Sequence, residues 1–297
     1  MEKTCIVIVG PTASGKTALG IDIAQYFNTE IISADSRQCF KELNIGVAKP
    51  TDIQLNSVPH HFINSHSIND NVTAADFESF ALTAADKIFE NNNIAVMCGG
   101  TGLYIKAFTD GLDVIAPTDN KIKREIADGY EENGLEWLQN KVKKKDPLFW
   151  EEGEINNPHR LLRALEVFMQ TGISIIVQQK KIKKQRSFDV IKIGIDIDRQ
   201  VLYDRINSRV DAMMEQGLEL EAKLLLPYKQ LNALHTVGYR ELFNFFEGLI
   251  TRGKAFELIK QNSRHYAKRQ VTWFKKDEEI IWLQQSEILS YLKNNLE

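Results

Sequence analysis

The chain has 297 residues, 43% hydrophobic and 26% charged, with a formal net charge of −3. That balance fits a soluble protein with one large α/β domain or a core plus a smaller unit, and excludes wholesale attraction to nucleic acid while leaving room for a local basic surface. No apolar run approaches the roughly 18 residues of a membrane span, and the three cysteines (Cys5, Cys39, Cys98) suit neither a disulfide framework nor a zinc site, so a cytoplasmic protein without membrane contact is expected.

In chain order, Cys5–Val9 is a short apolar run that starts too early to leave room for a signal peptide and ends at Gly10. Helical spacing follows from Lys16 to Phe27 through Ala18, Leu19, Ile23 and Phe27. Ile31–Ala34 is a second apolar run, ended by Asp35, and Ile94–Cys98 a third, stopped by Gly99 and Gly100. Between about Pro117 and Asp189 the strand-like runs disappear and charges accumulate. Thr118 or Asp119 reads as a helix cap ahead of Ile122, Ile126 and Tyr130, and Leu161, Leu162, Leu165 and Phe168 mark a later helix. Ile191–Ile197 and Ile280–Leu283 return to strand patterning. Short apolar strands alternating with helices predict an α/β fold, a P-loop NTPase-like parallel sheet flanked by helices, with core residues 1–117 and 190–297. Residues 118–189 are expected to form an all-helical insertion.

Gly10, Pro11, Thr12, Ala13, Ser14, Gly15, Lys16 and Thr17 fit G-x-x-x-x-G-K-[ST], and a strand precedes the motif while a helix follows it. In such a loop backbone N–H groups curl around a diphosphate at a helix N-terminus. Lys16 adds a positive charge, and the Thr17 hydroxyl is placed to ligate Mg²⁺. The motif alone leaves the phosphate compound open, and a nucleotide-binding, ATP-using kinase is one candidate.

The other strand ends carry the remaining chemistry, because ligands of open α/β sheets bind there. Asp35 opens Asp35-Ser36-Arg37-Gln38 and suits a Mg²⁺ ligand, a general base or a simple turn residue. Gly99-Gly100-Thr101-Gly102 reads either as a place where a ligand approaches closely or as a plain strand-to-helix turn, with Thr101 beside Asp35 at the edge of the sheet.

At this point the chain resembles the tRNA dimethylallyltransferases, also called tRNA isopentenyltransferases. The resemblance rests on GPTASGKT (Gly10–Thr17), ISADSRQ (Ile32–Gln38), IGVAKP (Ile45–Pro50), PHH (Pro59–His61), GGTGLYIKA (Gly99–Ala107), HRLLRALEV (His159–Val167), TVGYRE (Thr236–Glu241) and AKRQVTWF (Ala267–Phe274). It implies transfer of a dimethylallyl group from dimethylallyl diphosphate to the exocyclic amine of the adenosine 3′ of the tRNA anticodon, with Mg²⁺ as cofactor. In that picture the Gly10–Thr17 loop holds the diphosphate, Asp35 takes the amine proton, Thr101 positions it and Arg209 engages the diphosphate. The implied tRNA contacts are Asp35, Ser36, Arg37, Gln38, Thr101, Lys123, His159, Arg160, Leu161, Leu162, Arg163, His235, Thr236, Val237, Gly238, Tyr239 and Arg240. Val47 and Phe40 stand where the family more often has threonine and tyrosine, and the zinc-finger extension of eukaryotic members is absent, so a bacterial-type enzyme, acting as a monomer, is implied.

Independent support for RNA contact is weaker. Lys180, Lys181, Lys183, Lys184 and Arg186 form a run without acids, and Arg264, His265, Lys268 and Arg269 precede Trp273 and Phe274. Each group reads equally as a solvated face, and the aromatic pair as core. His60 and His61 lack metal-site spacing. A small-molecule kinase, a transferase acting on free adenine nucleotides and a non-catalytic RNA-binding P-loop protein remain as competing readings.

Overall fold

The computed structural model describes residues 2–180 and 182–296; Lys181 of the basic run lies outside them. Six strands, β1 (Thr4–Val9), β2 (Ile31–Ala34), β3 (His60–His61), β4 (Ile94–Gly99), β5 (Asp189–Asp196) and β6 (Ile281–Gln284), form one sheet in the order β3-β2-β4-β1-β5-β6. Every neighbouring pair is parallel.

The continuous apolar runs follow from burial on both faces. Successive side chains of a strand point to opposite faces. Cys5, Val7 and Val9 accordingly join one core with Ala95 and Met97, and Ile6 and Ile8 join the other with Val96 and Ile193. Each such Ile or Val contributes roughly 1.5–3 kcal/mol on burial. Register then builds the site. Val9 pairs with Gly99 and Gly99 with Ala34, so β1, β4 and β2 end level. Gly10, Gly100 and Asp35 therefore leave the sheet side by side.

The chain divides into two compact units, Met1–Thr109 with Gln185–Glu297, and Asp110–Lys184. Both junctions fall earlier than the expected 118 and 189. Arg186 explains the second. It belongs to the sheet-bearing unit, where Nε donates to Phe108 O (2.8 Å) and Nη2 to Ala107 O (2.8 Å) and Glu78 Oε1 (2.9 Å). It is therefore a half-hidden structural cation that binds the last carbonyls of the helix Gly102–Asp110, and not a phosphate contact.

The Asp110–Lys184 unit has its own apolar cluster, with Ile126, Leu138, Val142, Phe149, Leu161 and Leu165 buried together. Asp119 caps the helix Asn120–Lys145, accepting from Lys121 N–H at 2.6 Å. Asn157 caps Pro158–Thr171, which ends at Gly172 in the left-handed region. No helix among the described residues is long and apolar enough to cross a membrane.

Candidate active site

The loop after β1 turns through two left-handed residues, Ala13 (φ 63°) and Gly15 (φ 95°). Gly15 starts the helix Lys16–Tyr26 and offers no side-chain cap to its N-terminal N–H groups. A helix that begins without a side-chain acceptor presents its positive end to whatever anion sits there. Ser14 adds a second sign of a missing partner: it is fully buried and its hydroxyl has none. Buried hydroxyls are costly unless paired. Lys16 Nζ meanwhile donates to Pro11 O at 2.7 Å. Burial pushes its pKa down to about 8, helped by Arg209 and opposed by Cys98 and Asp35.

Asp35 faces this loop. Its Oδ1 accepts from Arg37 N–H (2.8 Å) and Gln38 N–H (3.2 Å), a local turn that fixes the carboxylate plane. Thr101 is tied to the same turn. Its own N–H donates to Ala34 O, and its Oγ1 accepts from Ser36 N–H at 3.0 Å. The Asp35 and Gly10–Thr17 segments line one cavity of about 280 Å³, with Gln38, Arg209, Tyr266 and Gln270. Arg209 Nη1 donates to Thr12 Oγ1 at 3.0 Å, and burial lowers its pKa while Asp35 opposes the fall. A smaller neighbouring cavity of about 120 Å³ shares Asp35 and Arg209 and adds Arg37, Thr236, Val237 and Gly238.

The glycines after β4 serve the protein itself. A Cβ on Gly99 would lie 2.2 Å from Ala34 O, on Gly100 2.3 Å from Gln270 Nε2, and on Gly102 2.1 Å from Trp273 Nε1. These glycines let β2 and the helix Arg252–Phe274 close against the strand end, and Gly99 and Gly100 also line the cavity. Trp273, 39% exposed, packs on Gly102, while Phe274 is core.

A second support holds Gln38. Its Nε2 donates to Val47 O (3.2 Å) and Ala48 O (3.0 Å), which orients the amide and leaves Oε1 as the group to offer a substrate. Glu221 fixes that loop by accepting from Ile45 N–H, Gly46 N–H and the Tyr239 hydroxyl at 2.8, 2.9 and 2.6 Å. Position 47 thus contributes its carbonyl, and Phe40 is buried.

The profile of the IPP transferase family matches residues 38–277. A tRNA dimethylallyltransferase of Christiangramia forsetii is 47% identical over 100% of this chain and 99% of its own length. One from Cytophaga hutchinsonii is 44% identical over 97% and 95%. The chain belongs to the IPP transferase family. Among solved structures, the tRNA isopentenylpyrophosphate transferase of Bacillus halodurans superposes with a TM-score of 0.73 at 33% identity, over 99% of this chain and 97% of that one. A eukaryotic dimethylallyltransferase acting on tRNA gives 0.76 at 27%, over 99% and 77%.

The residues that the family resemblance singles out fall into three groups. Gly10–Thr17, Asp35–Gln38, Thr101 and Arg209 come together in the sheet-bearing unit, with Thr236, Val237 and Gly238 lining the smaller cavity. His235 and Arg240 are exposed on the same segment. Lys123, His159 and Arg160 are exposed in the helical unit, where Arg160 pairs with Glu154 at 2.6 Å, and Arg163 donates to Thr118 Oγ1 beside half-buried Leu162. Leu161 and Tyr239 are corrections. Both are fully buried, Leu161 in the helical core and Tyr239 against Glu221, so they support neighbours and present no side chain to RNA. Of the second basic group, Arg264 is engaged by Asn207 (2.6 Å), and Arg269 lies 5.8 Å from the centre of the Tyr266 ring. His61 pairs with Glu30 and His60 binds Val58 O. Gln270, inside the AKRQVTWF stretch, and Tyr266, just before it, are cavity residues to which the sequence alone assigns no role. Only their i, i+4 spacing could have hinted at a shared face.

Proposed function

We propose that the chain transfers a dimethylallyl group from dimethylallyl diphosphate to the exocyclic amine of the adenosine 3′-adjacent to the anticodon in tRNA, releasing diphosphate. The observation that carries the reading is one cavity in which the Gly10–Thr17 loop, with its buried and unpartnered Ser14 hydroxyl, faces an oriented carboxylate, Asp35. Its membership of a family whose relatives bear that activity in their names agrees.

The amine nitrogen forms a C–N bond to the allylic carbon, the C–O bond to diphosphate breaks, and diphosphate leaves with the electron pair. The proton lost by nitrogen passes to Asp35, whose Oδ1 is committed to the turn and whose Oδ2 is the base. A carboxylate suffices, because the amine becomes acidic only as the C–N bond forms. Lys16, Arg209 and the loop N–H groups stabilise the departing charge, which is where the largest share of the barrier lies. The hard oxygen donor Thr17 lines the same cavity and would hold Mg²⁺, with substrate oxygens and water completing the shell. Bound there, the ion would supply further neutralisation of the diphosphate. Among the described residues no group of three His, Cys, Asp or Glu side chains competes for it.

Gln38 Oε1 suits the N–H edge of an adenine turned out of the stack. We assign tRNA backbone contact to Arg37, Lys123, His159, Arg160, Arg163, His235 and Arg240, and to Lys180, Lys183 and Lys184 of the basic run. The reading includes action as a monomer in the cytoplasm, consistent with three free cysteines. Incubation with tRNA, Mg²⁺ and radiolabelled dimethylallyl diphosphate tests it. Label in the tRNA, on the adenosine beside the anticodon, is the expected result; unlabelled tRNA with intact donor contradicts it.

A further inference from the structure

Gln270 is 6% exposed and sits on the helix Arg252–Phe274, far in sequence from either loop that it touches. Its Oε1 accepts from Thr12 N–H at 2.8 Å, and its Nε2 donates to Gly100 O at 2.9 Å. Both ends of one amide are thus spent on the two strand-end loops, one from β1 and one from β4. Gly100 leaves room for it, since a Cβ there would lie 2.3 Å from the amide nitrogen. Thr12 is held from the other side by Arg209. One turn earlier on the same helix, Tyr266 bonds the Thr101 side chain, and burial raises its pKa to about 12, so it stays a neutral hydrogen-bonding group.

Building on the function proposed above, we infer that Gln270 is a positioning residue that fixes the diphosphate loop against the strand end carrying Thr101, and so sets the separation of donor and acceptor. The physical reason is directional. A packed apolar residue could fill the same space, but the Gln270 amide offers an acceptor to one loop and a donor to the other in a single rigid plane. Misplacement of about 1 Å between reacting groups costs on the order of a hundredfold in rate. Thr12 N–H, once bonded to Gln270, is also kept out of the anion cradle, which leaves that role to the N–H groups further along the loop.

The test uses the full chain and Gln270→Met, which keeps length and bulk but offers neither hydrogen bond. Four quantities are measured: binding of inorganic diphosphate with Mg²⁺, binding of tRNA, melting temperature, and the single-turnover rate of label transfer. The expected pattern is diphosphate affinity down about tenfold and transfer down about a hundredfold, with tRNA affinity and melting temperature close to wild type. Gly100→Ala, which pushes the amide away from the other side, should give the same pattern. Wild-type diphosphate binding and transfer in Gln270→Met overturn the inference. So does a parallel fall in diphosphate binding, tRNA binding and melting temperature, which marks a purely structural residue. If the wild-type protein binds diphosphate but labels no tRNA, the functional reading fails separately, and the diphosphate affinity of Gln270→Met still decides the role of Gln270.

Discussion

The two glycine-rich loops at the ends of β1 and β4 differ in what fills the space beside them. Around Gly99, Gly100 and Gly102 the space is taken by Ala34, Gln270 and Trp273, all within 2.3 Å of where a Cβ would stand. In the Gly10–Thr17 loop the buried Ser14 hydroxyl has no partner and the helix behind it has no side-chain cap. The first loop meets protein atoms at each of these glycines, and the second keeps a buried hydroxyl without one. Glycine content alone does not separate these cases. Unsatisfied polar groups do.

The comparison can be broken in graded steps. The largest effect belongs to the carboxylate between the loops. Asp35→Asn keeps the shape and removes the proton acceptor, and should lower transfer by ~10²–10⁴ while Mg²⁺-dependent donor binding is nearly kept. A large rise in the Mg²⁺ needed for donor binding would instead make Asp35 a metal ligand. Next is Lys16→Ala, expected to slow transfer by roughly a hundredfold or more through lost leaving-group stabilisation, with tRNA affinity retained.

Lys16 also predicts a pH dependence. Its folded pKa of about 8 lies below the ordinary lysine value, so the charge is lost as pH rises through about 8. Diphosphate affinity measured by calorimetry should fall over that range, and Lys16→Met should abolish the trend. Stability moves the other way. Between about 8 and the unfolded value of 10.5 the unfolded chain binds more protons, so the ligand-free protein gains stability with rising pH from this group.

The first loop should respond through stability. Gly99→Ala sets a methyl against the Ala34 carbonyl, whose backbone cannot yield cheaply, and about 1–3 kcal/mol of stability should be lost in denaturant titration. The smallest effect sharpens the contrast. Ser14→Ala removes a buried hydroxyl without a partner, so the ligand-free fold should be unchanged or slightly stabilised. Diphosphate affinity should nevertheless drop by up to about tenfold, the worth of one hydrogen bond. Destabilisation without loss of affinity would show that Ser14 serves the fold.

Legibility in the sequence followed the same division. Strands buried on both faces announce themselves as apolar runs, and β1, β2, β4, β5 and β6 all stand within two residues of where patterning puts them. The two-residue strand His60–His61 was invisible, because two polar residues carry no period and its pairing with Ile31 and Ile32 is a tertiary fact. The Gly10–Thr17 loop was legible because its motif is contiguous. The roles of Gln270 and Tyr266 were not, although Gln270 stands in the AKRQVTWF stretch, since their partners Thr12, Gly100 and Thr101 lie far upstream in the chain. Arg186 was misread for the converse reason. Five basic residues in a short stretch look alike until the fold turns one of them inward onto Glu78.

The central claim is that the Gly10–Thr17 loop takes the donor's diphosphate and directs its allyl end at Asp35. A crystal structure of the protein with Mg²⁺ and a non-hydrolysable thiolodiphosphate analogue of the donor tests it most directly. The account predicts both phosphates over the N–H groups of Ala13–Thr17, with Ser14 Oγ bonded at last and the allylic carbon facing Asp35. A diphosphate seated elsewhere, such as the apolar cavity walled by Ile195, Leu202, Val271 and Trp282, would contradict it.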